Sequence, residues 1–245
     1  MDKKIVLITG ANKGIGFEVA RQLGKSGKHI LLGVRNKVKG EEARKVLQNE
    51  GISCDVLEVD VTNESSIQDA KKQVEAKYGV LDVLVNNAGV FPEFGKQLFE
   101  VEKLPSLVLT DTYTTNVFGP VMMIHHFLPL IKKSKAGRIV NVSSSAGSLT
   151  DQSNPESPYY GMNTLAYNSS KASLNMVTVQ VAKQLADTNV KINSVCPGWV
   201  RTDMGTEAAP RSVSEGAGII VKMANLPEEE NTNGVFVDDS GSIPW

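Results

Sequence analysis

Tyr167 and Lys171 stand four residues apart near the start of Leu165 to Leu185, a stretch whose pattern predicts a long helix. A spacing of four puts both side chains on one helical face, one turn apart. A lysine ammonium beside a phenol favours the phenolate, so the pair predicts a tyrosine pKa lowered from about 10 toward neutrality. Such a tyrosine serves as general acid to a carbonyl oxygen or as general base to an alcohol. Taken alone, a Tyr-x-x-x-Lys pair is common decoration of a helix, and its neighbours decide its meaning. The apolar run Arg138 to Val142 ends in Ser143-Ser144-Ser145, which offers hydroxyls at the carboxyl end of a strand. Asn116 sits inside a second helical pattern, Tyr113 to Ile131, where a mid-helix Asn carries a propensity cost.

A different chemistry marks the N-terminal end. The turn Thr9-Gly10-Ala11-Asn12-Lys13-Gly14-Ile15-Gly16 follows the first apolar run and opens a helical pattern. Glycines there permit a tight turn and close backbone approach, and a free helix N-terminus offers amide donors to a diphosphate. The spacing is GxxxGxG, a departure from the general GxGxxG dinucleotide fingerprint. A ribose 2'-hydroxyl pair calls for an acidic residue about 20 positions further on, yet Lys28 to Lys39 contains no Asp or Glu. Arg35 follows the second run instead and Lys13 sits inside the turn, so two cations favour a 2'-phosphate, hence NADP(H) over NAD(H). Asp60 closes the third run, where it could accept from an adenine amino group, and Asn86-Asn87-Ala88-Gly89 closes the fourth with small residues that let a backbone pass a flat ring.

Positioning these groups takes a parallel sheet. Strands are predicted at Ile5 to Thr9, Ile30 to Val34, Asp55 to Val59, Val83 to Asn86, Arg138 to Val142, Lys191 to Val195 and Val235 to Val237. Helical patterns fall between them at Gly14 to Lys25, Val38 to Glu50, Glu64 to Tyr78, Tyr113 to Ile131, Leu165 to Leu185 and Val213 to Met223. The alternation predicts an α/β, Rossmann-like, doubly wound, seven-stranded parallel sheet with helices on both faces, as a single domain over residues 1–245. Val90 to Leu104, Ser145 to Thr164 and Trp199 to Arg211 break the alternation at the carboxyl ends of strands, which makes them candidate substrate loops. Phe91, Phe94, Phe99 and Trp199 in these loops suit an apolar aryl or alkyl group.

Composition excludes several alternatives. The 245 residues carry 26 basic and 27 acidic side chains for a net charge of -1, which removes the electrostatic basis for nucleic acid or an anionic membrane as partner. Cys54 and Cys196 form no CxxC pair, and neither a disulfide framework nor a metal cluster is expected. No apolar run approaches the ~20 residues of a membrane span, and none after Met1 has signal-peptide character, so a cytoplasmic location is expected. With three histidines and no GxSxG elbow, a serine hydrolase has little to stand on.

Jointly these residues spell a known family. The chain resembles the classical short-chain dehydrogenase/reductases from Thr9 almost to its C-terminus. The resemblance rests on the TGxxxGxG turn, the Asn-Asn-Ala-Gly run, Asn116, the strand-end serine, Tyr167 with Lys171, and Pro197-Gly198 after the sixth strand. It implies a tetrad of Asn116, Ser144, Tyr167 and Lys171, with Ser143 as the alternative serine. In the family the serine hydrogen-bonds the substrate carbonyl and the tyrosine transfers the proton. The lysine holds the nicotinamide ribose and tunes the tyrosine, and the asparagine secures a water of the proton relay. The resemblance also implies cofactor contacts from Gly10, Asn12, Lys13, Gly14, Ile15, Gly16, Arg35, Asp60, Val61, Asn87, Ala88, Gly89, Tyr167, Lys171, Pro197, Gly198 and Val200, with Thr202 on the carboxamide, and places Ser144, Tyr167 and Trp199 on the substrate side.

Within the family the turn, the Val34-Arg35 strand end and Pro197 to Met204 are most similar to NADPH-dependent carbonyl reductases. The implied activity is reversible reduction of hydrophobic ketones and aldehydes. An NAD-linked secondary alcohol dehydrogenase is the alternative within the class. A non-enzymatic NADP(H)-binding regulator is the alternative outside it, although such a protein would be expected to have lost Tyr167 or Lys171. The interval from Ser144 to Tyr167 exceeds the usual spacing yet falls far short of the insertion in monomeric carbonyl reductases. A homodimer or homotetramer through the helices starting near Tyr113 and Leu165 is expected from family habit alone.

Overall fold

β-Branched apolar runs fold as strands here and the amphipathic stretches between them as helices. The computed structural model describes residues 3–96 and 100–245. Its strands are β1 (Ile5–Thr9), β2 (His29–Val34), β3 (Cys54–Glu58), β4 (Val83–Asn86), β5 (Gly137–Val142), β6 (Val190–Val195), β7 (Phe236–Asp238) and β8 (Gly241–Ser242). They lie in the order β3-β2-β1-β4-β5-β6-β7-β8. All pairings are parallel except β7 with β8. The sheet is therefore eight-stranded among the described residues, one more than the sequence predicts. The added strand is two residues long, held by a turn in which Asp238 accepts from the amides of Ser240 and Gly241, and so short a piece has no alternation to read.

The helices are α1 (Gly14–Lys25), α2 (Lys37–Asn49), α3 (Glu64–Tyr78), α4 (Ser106–Tyr113), α5 (Gly119–Ile131), α6 (Leu149–Ser153), α7 (Leu165–Gln184) and α8 (Val213–Ala224). Strand alternation divides them into two layers. Val6 and Ile8 of β1 pack with Leu23 of α1, Leu47 of α2 and Ile220 of α8. Ile5 and Leu7 point the other way, onto Ile67 of α3 and Phe127 of α5. A helix predicted from Tyr113 begins instead at Ser106, with Pro105 at its N-cap. Between α4 and α5 the backbone stays helical but widens into a π-type turn over Thr114–Phe118, which carries Asn116. Such turns collect at functional sites.

At the amino edge of the sheet Asp55 accepts from Lys77 Nζ at 2.7 Å and from the Tyr78 hydroxyl at 2.5 Å, and His29 Nε2 lies 3.1 Å away. Burial alone would raise its carboxyl, but these hydrogen bonds with the Lys77 and His29 charges bring the pKa down to about 2, while burial and Asp55 push Tyr78 up to about 12. A carboxyl lowered in the folded state stabilises above its unfolded pKa and loses that contribution as pH falls through the folded value. Asp55→Asn should cost about 1 kcal/mol near neutral pH, a figure reduced for the solvent that reaches the site. The difference from wild type should vanish by about pH 2, as read by urea denaturation at several pH values; an offset constant with pH would contradict this account.

Candidate active site

Strand order reverses between β1 and β4, the switch point at which open α/β sheets leave a crevice beyond the strand ends. A cavity of about 880 Å³ opens there. Its wall includes Gly10, Asn12, Lys13, Gly14, Ile15, Gly16, Arg35, Asp60, Val61, Asn87, Ala88, Gly89, Pro197, Gly198, Val200 and Thr202, and also Ser144, Tyr167, Lys171 and Trp199. Asn116 does not line it and is buried one layer behind.

At one end the turn after β1 is tied to the end of β4. Thr9 Oγ1 accepts from the amides of Asn87 and Ala88 at 3.0 Å, and Asn87 Nδ2 donates to Thr9 O at 2.8 Å. Gly10 and Gly14 adopt φ of 67° and 57°, where a side chain is strained. A Cβ on Gly16 would lie 2.4 Å from Asn87 Nδ2 and 2.6 Å from Gly10 O, so only glycine brings α1 this close. Asn36, Asn63 and Ser212 cap α2, α3 and α8 with side-chain oxygens, whereas Lys13 gives α1 no side-chain cap. The result is a glycine cradle with free helix-start amides, which fits a diphosphate. Arg35 is exposed on the cavity wall, and Lys13 Nζ reaches across to Asp203 at 2.5 Å. That ion pair lowers the Asp203 pKa. Asp60 Oδ1 accepts from Thr62 N and Oγ1 at 2.9 and 2.7 Å in a local turn, so only its other oxygen is left for a ligand.

At the other end α7 presents Tyr167 and Lys171 from its buried stripe. Gly147 lets the segment after β5 press against this helix, since a Cβ there would lie 2.6 Å from the Lys171 carbonyl carbon. That approach sets Ser144 beside Tyr167, while Ser143 turns its hydroxyl toward Lys171 O at 3.5 Å. Lys171 Nζ lies 5.7 Å from the Tyr167 ring centroid and donates to Val142 O at 2.8 Å. The pairing on one face is as the spacing predicts, but the predicted lowering of the tyrosine pKa is reversed. Burial pushes Tyr167 up to about 12, opposed only in part by the neighbouring Ser144 hydroxyl. Burial likewise draws Lys171 down to about 8. Desolvation wins because the ammonium points at a backbone carbonyl rather than at the phenol oxygen.

Asn116 holds Val90 through both backbone groups, Oδ1 accepting from its amide and Nδ2 donating to its carbonyl, each at 2.9 Å, and Nδ2 also reaches Ser170 Oγ at 3.1 Å. Of the predicted aromatic wall, Phe91, Phe94 and Trp199 line the cavity, and Phe99 lies outside the described residues. Tyr159, Met162 and Met204 line it too and were not singled out from sequence. They fall within the predicted substrate loops, but no periodicity in a loop says which side chains turn inward.

The sequence profile of the short chain dehydrogenases matches residues 4–212. A short-chain dehydrogenase of Penicillium roqueforti is 35% identical, over 98% of this chain and 96% of its own. Rattus norvegicus carbonyl reductase [NADPH] 1 is 32% identical, over 100% and 99%. The crystal structure of an NADPH-bound carbonyl reductase from chicken fatty liver superimposes with a TM-score of 0.85 at 27% identity, covering 100% of both chains. With that match and with its cavity at the switch point of a parallel sheet, the chain belongs to the short-chain dehydrogenase family.

Proposed function

We propose that this protein is an NADPH-dependent carbonyl reductase that converts hydrophobic ketones and aldehydes to alcohols, reversibly. One observation carries the reading: a single cavity is lined by Lys13 and Arg35 and also by Tyr167, Ser144, Phe91, Phe94, Trp199 and Met162, with Phe91 stacked on Tyr167. The cations match a 2'-phosphate, and the apolar wall matches a substrate with little polarity beyond its carbonyl. The similarity to carbonyl reductases named for NADPH supports the same reading.

When bound, NADPH supplies a hydride for the carbonyl carbon, and the protein governs what happens at the oxygen. In this reading Ser144 donates a hydrogen bond to that oxygen and orients it. Tyr167 gives up its hydroxyl proton to the same oxygen as the alcohol forms. Its pKa of about 12 before cofactor binds means it stays fully protonated near neutrality and is ready as an acid. The Lys171 ammonium, fixed by Val142 O, lies 5.7 Å from the Tyr167 ring centroid, and in this reading its charge favours the phenolate left behind but by less than burial opposes it. Asn116 braces Val90, and with it the strand-end loop that walls the substrate side.

The test is disappearance of reduced cofactor with NADPH and, separately, NADH over aryl ketones, ketoesters, quinones and aldehydes. Turnover of several apolar carbonyls with NADPH preferred is expected. Tight NADPH binding with no turnover across the panel would favour a non-enzymatic role instead.

A further inference from the structure

Helix α7 holds Tyr167 in its first turn, and the residue at its N-cap leaves that turn unserved. Thr164 makes no side-chain cap, and its hydroxyl donates to Asn168 Oδ1 at 2.7 Å. The amides of Ala166 and Tyr167 donate instead to the two carboxylate oxygens of Glu93, at 3.2 and 2.7 Å, across sequence separations of 73 and 74. Glu93 is 1% exposed. A polar group so buried needs partners for its oxygens, and two helix-start amides supply one to each.

The loop that brings Glu93 there is fastened twice more. Asn116 clasps Val90 by both backbone groups, and the Phe91 ring stacks on the Tyr167 ring with centroids 3.9 Å apart at 21°. Within four residues this loop touches the tetrad asparagine, the face of the tyrosine ring and the amide of the same tyrosine. A cap would need only the last of these contacts.

We propose that Glu93 is a positioning residue for the reduction. Its carboxylate locks the substrate-side loop onto the first turn of α7, so that Tyr167 and the Phe91 wall are held as one unit. The inference rests on Tyr167 being the proton donor, as in the reading above. Two functions are then carried by one side chain, capping and coupling, and they are separable. An Asp at position 164 would cap the same two amides from within the helix, because an N-cap side chain reaches N2 and N3, but it would leave the loop untied.

The experiment compares wild type, Glu93→Ala, Glu93→Gln and the double variant Glu93→Ala/Thr164→Asp, measuring Tm, NADPH affinity and kcat on a ketone the wild type reduces. Glu93→Ala should lower Tm and cut kcat about 10- to 100-fold, the scale set by small misplacements of catalytic groups, with NADPH affinity within about twofold of wild type. Glu93→Gln, which keeps one accepting oxygen, should fall between. The double variant should regain Tm without regaining kcat. Recovery of kcat together with Tm would reduce Glu93 to a helix cap and overturn the inference. If Glu93→Ala does not fold, Glu93→Gln decides: a lowered kcat at unchanged NADPH affinity supports coupling, and a wild-type kcat refutes it. Lack of turnover in the wild type itself would sink the functional reading and this inference together, whereas wild-type rates in the variants would sink only the latter.

Discussion

Tyr167→Phe should lower kcat for ketone reduction by about a hundred- to ten-thousand-fold, the range that a positioned general acid contributes. NADPH affinity should change little, because the cations and glycine turn that would hold the phosphates are untouched by the substitution. The fold should survive, since the Phe91 stack uses the ring and the Glu93 bond uses the backbone amide, and both remain in the variant. Only the hydroxyl, which neighbours Ser144, is lost. The pH profile adds a second reading of the same group. A phenol raised to about 12 is an acid throughout the neutral range, so reduction should be flat there. Alcohol oxidation needs the phenolate and should accelerate with rising pH. A Phe variant that kept most of its turnover, measured by single-turnover kinetics, would remove Tyr167 from the chemistry.

Arg35→Ala should weaken NADPH about 10- to 100-fold and leave NADH nearly unchanged, the effect of losing one charged hydrogen-bonding partner worth about 1.5–3 kcal/mol. Lys13→Ala should act in the same direction but less strongly. Lys13 already faces Asp203 in an exposed pair, with side chains 68% and 79% accessible, and must exchange that partner for a phosphate. Asp203→Asn should then favour NADPH modestly by releasing the lysine. Affinities measured by fluorescence titration of each cofactor decide the matter. Parallel losses for NADPH and NADH would mean the cations serve the diphosphate and do not distinguish the two cofactors.

The parts of this site that sequence exposes are those fixed by local rules. The glycine turn, the Tyr167 and Lys171 spacing and the strand-end serines each have a backbone or periodicity reason that needs no distant partner, and the cavity gathers them. The limits of α3, from Glu64 to Tyr78, follow from Asn63 at one end and the left-handed Gly79 at the other. What stays hidden is tertiary. Nothing about an acid between Pro92 and Phe94 announces that it caps a helix some seventy residues later. The start of α4 escapes notice because Ser106 to Tyr113 is only eight residues long, carries the β-branched Val108, Thr110 and Thr112, and has Pro105 where a capping side chain would stand. The tyrosine pKa moves against expectation for the same kind of reason. Spacing brings Lys171 near the ring, but burial and the choice of Val142 O as partner are decided by how β5 meets α7.

The wide turn at Thr114–Phe118 places Asn116 by residue count as much as by residue type. A π-type turn takes about one residue more than an α-turn for nearly the same rotation, so deleting one residue there would let the rod from Ser106 to Ile131 close up into regular helix with its halves still in phase, at the cost of the widened turn that presents Asn116. Met123, Phe127 and Leu130 would keep their places in the core, and Asn116 would leave Val90. Exposed side chains along this rod are thus free to vary in evolution or in a mutant library, while its length is not. Insertions and deletions should be purged from 106–131 even where substitutions accumulate.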